Sequence, residues 1–252
     1  LLAYQLSSLV LYPPSRLKVT MTVFHATEDK DTVTLLRFFS TWNIPNVTWN
    51  WQVMDPPHLF RRAIGRNRAA RATASDWVWF TDCDVAFHHG CLDGLADALQ
   101  GRRDALVFPR EERCSHLLPP TDPMLNPDRS ELRLVDIDTS RFSIIQQRDR
   151  ATGPLQIVHG DVARACGYCE SLRVYQKPSG KWTKATEDRA FRWLLGTPGV
   201  PIDVPGVYRI RHMHKGRYQG SHLSNLLRTR IRKTQSSYRD SDRHVATSQA
   251  QD

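Results

Sequence analysis

The run Trp77-Val78-Trp79-Phe80 constrains this chain more than any other segment. Large apolar residues follow one polar residue, Asp76, without alternation, and such a run suits a strand that is covered on both faces. Coverage on both faces comes most directly from a parallel sheet with crossover helices. The run therefore predicts an α/β fold, and 252 residues suffice for one domain around one core.

The neighbouring segments agree. Leu1, Leu2, Leu6 and Leu9 have near-helical spacing, so residues 1–11 read as an amphipathic helix, stopped by Pro13-Pro14. Strands are expected over 18–24, 47–54, 76–80, 105–109 and 207–212, and extended segments over 132–137 and 142–147. Helices are expected over 31–42, 59–74, 90–100 and 187–195, the second rich in Arg and Ala. This βαβαβ order implies a mostly parallel central sheet. The domain is expected to span 1–227, followed by a flexible basic tail over 228–252 rich in Ser, Thr and Gln. Native sequence is expected upstream of Leu1.

The apolar strand runs directly into Thr81-Asp82-Cys83-Asp84. Ligands bind at the carboxyl edge of open α/β sheets, which is where both carboxylates would stand. Two neighbouring carboxylates repel each other, and a divalent cation relieves that repulsion. Mg2+ or Mn2+ prefers such hard oxygen donors and keeps positions open for phosphate oxygens.

Gly65-Arg66-Asn67-Arg68-Ala69-Ala70, followed by Ala74 to Asp84, resembles the GT-A core of family-two glycosyltransferases. The resemblance implies a GT-A nucleotide-diphospho-sugar transferase fold, with Asp84 on the metal and Asp82 near the donor ribose. It also places Arg66 and Asn67 near the nucleotide. Thr186-Glu187-Asp188 opens a helix and is similar to the Glu-Asp pair of inverting GT-A enzymes. That likeness implies Asp188 as base and Glu187 orienting the acceptor, while the position of Thr186 before the helix makes it the expected N-cap. The stretch Ile210-Arg211-His212 and the loop Gly180-Lys181-Trp182 resemble the galactosyltransferase and chondroitin-synthase type of catalytic domain. This nominates His212 as a further metal ligand, with His214 as competitor, and Trp182 as an acceptor wall. The chain departs from the family pattern at His25-Ala26-Thr27-Glu28-Asp29, where an Asp-Asp-Gly-Ser turn is expected. Glu28 or Asp29 would then compensate in reading the base, with UDP as the default nucleotide.

The implied partners are a nucleotide-sugar donor and a glycan or lipid-linked acceptor. The formal charge of +9 calls for an anionic partner, and the basic tail suggests peripheral contact with an anionic membrane surface. Five cysteines at scattered spacing do not make a secreted disulfide framework, which favours a reducing, cytoplasmic setting. The CxxC from Cys166 to Cys169 lacks the second pair that a structural zinc site needs. A nucleotidyltransferase is one alternative, but it would carry a glycine-rich phosphate loop after its first strand. A nucleic-acid-binding module is the other, but the tryptophans fall in apolar runs rather than among basic residues.

Overall fold

A computed structural model describes residues 1–126, 132–181 and 186–212, which lie within a single compact unit, Leu1–Met213. In chain order its elements begin with α1 (Leu2–Leu11), β1 (Val19–His25), α2 (Lys30–Ser40), β2 (Val47–Val53), α3 (Pro56–Leu59) and α4 (Arg62–Ala72). They continue through β3 (Trp77–Phe80), β4 (Val85–Phe87), α5 (Cys91–Leu99), β5 (Leu106–Pro109), β6 (Glu111–Cys114) and β7 (Ile144–Gln147). The last are β8 (Gln156–His159), α6 (Gly160–Cys166), α7 (Arg173–Gln176), α8 (Glu187–Leu194), β9 (Val200–Ile202) and β10 (Val207–Arg209).

The α/β class expected from the sequence holds, but the strand pairing is mixed. β1 and β2 pair in parallel. A second sheet has the order β3-β8-β5-β9 and a third the order β4-β10-β6-β7. β8 runs antiparallel to both β3 and β5, with Trp77 opposite His159 and Phe80 opposite Gln156. An apolar run reports burial on two faces and is silent about direction, so β3 gave no warning of an antiparallel neighbour. β8 itself is short and follows Gly153-Pro154, which masks its period.

The two faces of β3 serve different cores. Trp77 and Trp79 pack with β1, β2 and α5 residues such as Met21, Trp49 and Leu92. Val78 and Phe80 pack on the other side against Ala63 and Ala70 of α4, Ala163 of α6 and Phe191 of α8. Alternating side chains on one short strand thus fasten both helical layers to the segment that ends in Asp82.

Several boundaries differ from the sequence reading. The helix expected over 59–74 is divided at Phe60-Arg61, because Asp55-Pro56-Pro57 starts a separate turn of helix. α4 then presses against β1: a Cβ at Gly65 would stand 3.0 Å from the Phe24 ring, which would have to shift by a few tenths of an ångström to admit it. Residues 132–137 form no strand, although the Val135 amide donates to Ser7 Oγ at 3.0 Å. The final strand stops at Arg209, with His212 held to Leu118 by an isolated bridge. No described helix is long and apolar enough to cross a membrane.

Phe191 is 1% exposed, stacks on Tyr168 at 4.3 Å and meets Phe80 edge-on at 6.0 Å. Phe191→Ala is expected to cost about 3–5 kcal/mol in urea unfolding, as buried Phe truncations do. It should also loosen α8, so residual turnover of the folded fraction will fall as well.

Candidate active site

The loop after β3 is held in place by its backbone. Gln5 of α1 donates to the Asp82 carbonyl at 3.0 Å and to Thr81 Oγ1 at 3.3 Å. The Val85 amide donates to the same carbonyl at 3.2 Å, and the Ile210 amide to the Asp84 carbonyl at 2.8 Å. Three separate elements therefore fix where the two carboxylates point, as a reactive site requires.

Asp82 faces α4. Arg62 donates through Nη1 to both Asp82 oxygens, at 3.1 and 3.2 Å, and Arg66 Nη2 donates to Oδ1 at 2.9 Å. Arg62 also donates through Nη2 to Glu187 Oε1 at 2.7 Å, so one guanidinium joins the loop after β3 to the start of α8. Glu187 is fully buried. Burial works against the Arg62 charge, but Asp82 and Glu187 outweigh it and hold its pKa above the ordinary value. Arg66 behaves in the same way: burial opposes its charge, while Tyr168 and Asp82 raise its pKa.

A second chain of hydrogen bonds runs behind these ion pairs. Arg66 Nη1 donates to the Tyr168 hydroxyl at 2.9 Å, and that hydroxyl donates to Gln156 Oε1 at 2.8 Å. Burial pushes the Tyr168 phenol up, so it stays protonated and can do both. Gln156 Nε2 then donates to the Asp188 carbonyl at 3.2 Å. The antiparallel register of β8 makes this contact possible, because it sets Gln156 opposite Phe80 at the Asp82 end.

The residues nominated from the sequence divide clearly. Asp82, Arg66 and Glu187 come together, and Asp188 follows in the chain with its carbonyl on Gln156. Asp188 has a side chain 28% exposed and lies 3.8 Å from Arg192, so it is the more open of the two acidic residues on α8. Asp84 is buried, with Arg209 Nε 3.6 Å from its Oδ2. His212 is half-buried beside Leu118. Asn67 is turned towards α6, where its side-chain oxygen accepts from the Tyr168 amide at 2.8 Å. Asp29 caps α2, accepting from the Thr32 amide at 3.1 Å and from its hydroxyl at 2.7 Å, while Glu28 is exposed. Thr186 makes no side-chain cap and instead lies 3.0 Å from the Tyr175 hydroxyl. Trp182 and His214 fall outside the described residues.

Arg62, Tyr168 and Gln156 went unremarked in the sequence. Arg62 was one of several arginines on an Arg-rich helix. Its i, i+4 spacing to Arg66 was the one available signal, since it puts both guanidiniums on one face.

Among the described residues, no group of three or more His, Cys, Asp or Glu could hold an ion. The donor set therefore does not match a closed protein cage. The mode in which Mg2+ or Mn2+ is bound by one or two carboxylates, with phosphate oxygens and water completing the shell, needs fewer protein ligands. Asp84 and Asp82 would be those carboxylates.

The sequence profile described as Glycosyl transferase family 2 matches residues 30–159, just over half of the chain. The match takes in α4 and both loop aspartates and ends before α8. Among solved structures, the chain is similar to one described as the crystal structure of S. aureus TarS 1-349, at 12% identity and a TM-score of 0.42. That similarity covers 86% of this chain and 55% of the other, so the chain spans about half the length of that structure. No curated protein matches the chain.

Removing one partner of a buried ion pair leaves the other charge uncompensated. Arg62→Gln is expected to lower stability by about 2 kcal/mol, less than for a fully buried pair because Arg62 keeps some solvent contact. Pairing it with Glu187→Gln should recover most of that loss in urea titrations.

Proposed function

Since this chain belongs to glycosyl transferase family 2 and is a glycosyltransferase of GT-A fold, we propose that it transfers a sugar from a nucleotide diphosphate to a glycan or lipid-linked hydroxyl, with inversion. The observation that carries this reading is the Arg62 bridge. It brings the two-aspartate loop and the acidic start of α8 to one place, as a reaction between a donor and an acceptor needs.

On this reading the donor lies at the Asp82 end, and UDP is the default nucleotide. Asp84 and Asp82 would hold the divalent cation, which neutralises the departing diphosphate when bound. Arg62 is 30% exposed on its side chain and can offer part of its guanidinium to a phosphate oxygen. Asp188 takes the proton of the acceptor hydroxyl as that oxygen bonds to the anomeric carbon and the bond to the diphosphate breaks. Glu187 is locked to Arg62 and has no route to the acceptor without moving, so its part is to fix the start of α8. This favours Asp188 as base. Arg66, held by Tyr168 and Asp82, sets the wall of the donor side. Asn67, Asp29 and Glu28 are retained as donor-side residues on the sequence pattern. His212, with His214 and Trp182 beyond the described residues, supports the finer galactosyltransferase and chondroitin-synthase type. The boundary at 227 and the membrane-contacting tail also rest on residues beyond those described.

Family membership decides against the nucleotidyltransferase and nucleic-acid-binding alternatives. A panel of nucleotide-sugars, scored by thermal stabilisation with and without Mn2+, is the direct test. One donor is expected to stabilise the wild type strongly with Mn2+, and Asp84→Ala to lose that response. An identical response from Asp84→Ala would overturn the donor site. Asp188→Asn should lower kcat by about 10²–10⁴-fold while donor stabilisation persists. Turnover within a few-fold of wild type would remove Asp188 from the role of base.

A further inference from the structure

Gly153 stands in the turn that leads into β8, and it faces Asp188. A Cβ at this position would lie 3.8 Å from Asp188 Cβ and 3.9 Å from both its Cγ and its Oδ2. Away from its chain neighbours, those atoms are the nearest it would meet. Both residues keep solvent contact: the Asp188 side chain is 28% exposed, and Gly153 is half-buried.

The fold does not ask for a glycine here. At other positions the need is plain. A Cβ at Gly160 would fall 2.0 Å from the Ser75 carbonyl oxygen, and Gly206 has a φ of 66° with the His88 and His89 carbonyls at 2.9 Å. Neither reason applies to Gly153. It is not among the glycines of positive φ, and 3.8 Å is an ordinary contact. An alanine would fit and would lower the entropy of the unfolded chain. What the missing side chain spares is the space beside the Asp188 carboxylate.

The turn is also held too firmly to swing aside. The Ala151 amide donates to the Pro198 carbonyl at 2.9 Å, and the Leu155 amide to the Thr152 carbonyl at 2.8 Å. Trp79 Nε1 of β3 donates to the Pro154 carbonyl at 2.9 Å. Arg192 of α8 donates to the Ala151 carbonyl and lies 3.8 Å from Asp188 Oδ2. Arg192 thus takes one flank of the carboxylate, and the glycine borders another.

We propose that Gly153 is a specificity-determining residue of the acceptor site, and that the room it leaves beside Asp188 takes the ring of an acceptor sugar. This rests on the reading of Asp188 as base. The attacking hydroxyl gives its proton to Asp188 as its oxygen bonds to the anomeric carbon, and the diphosphate leaves with the electrons of the broken bond. A hydroxyl within hydrogen-bond reach of Oδ2 on the glycine side brings its ring against position 153. A side chain there would compete with the ring for the same volume.

The test is transfer from UDP-glucose, UDP-galactose or UDP-N-acetylglucosamine, with Mn2+, to the octyl glycosides of glucose, galactose, N-acetylglucosamine and N-acetylgalactosamine. Acceptor KM is expected to rise from wild type through Gly153→Ala to Gly153→Val, by about tenfold or more at valine, the scale on which a site rejects an added methyl group or two. Thermal stabilisation by the donor should persist in both variants, because the donor lies at the Asp82 end. An acceptor KM that does not change in either variant would overturn the proposal. Loss of donor stabilisation in step with acceptor binding would mark the turn as structural and overturn it too. If valine prevents folding, the alanine variant decides by the same readings, since its Cβ meets only ordinary contacts. A wild type that transfers to none of these glycosides would overturn the sugar-ring acceptor. Turnover of Asp188→Asn near wild type would instead overturn the base reading on which the proposal stands.

Discussion

The guanidinium of Arg62 holds the candidate site together. It reaches Asp82 with one nitrogen and Glu187 with the other, and these residues lie far apart in the sequence. Two carboxylates, one buried at a helix start and one half-buried at a strand end, would repel each other if left alone. A planar fork with fixed donor directions suits this task better than a lysine ammonium. Once Arg62 is in place, Arg66 can take the remaining face of Asp82, and Tyr168 and Gln156 complete the path to the Asp188 carbonyl. Each group in this path has a partner, so it is rigid without being empty of charge.

The same logic separates the two acidic residues on α8. Helix starts favour carboxylates, so their presence alone says little about chemistry. Their surroundings say more. Glu187 is sealed in and spends its charge on Arg62, whereas Asp188 has solvent contact and a looser partner in Arg192. Neighbouring carboxylates in one motif thereby differ in exposure and in the cation each faces.

How much could be read from the sequence depended on whether the signal was local. The apolar run of β3 announced its own burial, and the aspartates after it announced a sheet-edge loop, since both are properties of contiguous residues. The helix-opening Glu187-Asp188 was legible for the same reason. Arg62 was not, because nothing in an Arg-rich helix tells which guanidinium turns inward. Arg68 on the same helix is exposed, whereas Arg66 is buried. Tyr168 and Gln156 were hidden because their importance comes from strand direction, and β8 pairs antiparallel where the alternation of elements argued for parallel. Asp29 has a local task that the sequence pattern did not announce: its carboxylate caps the N-terminus of α2.

The Arg62–Glu187 contact closes a span of 125 residues, and β3 meets β8 across a shorter but still long-range stretch, from Trp77 to His159. Closing long loops costs entropy before any contact repays it, and folds built on such pairings form slowly. The site is therefore complete only when β8 and α8 are docked, since Val158 and Phe191 belong to the same core as Phe80. A nascent or partly unfolded chain would carry every residue of the site and yet have no site. The site's geometry is thus inseparable from the long-range contacts that join β3, β8 and α8.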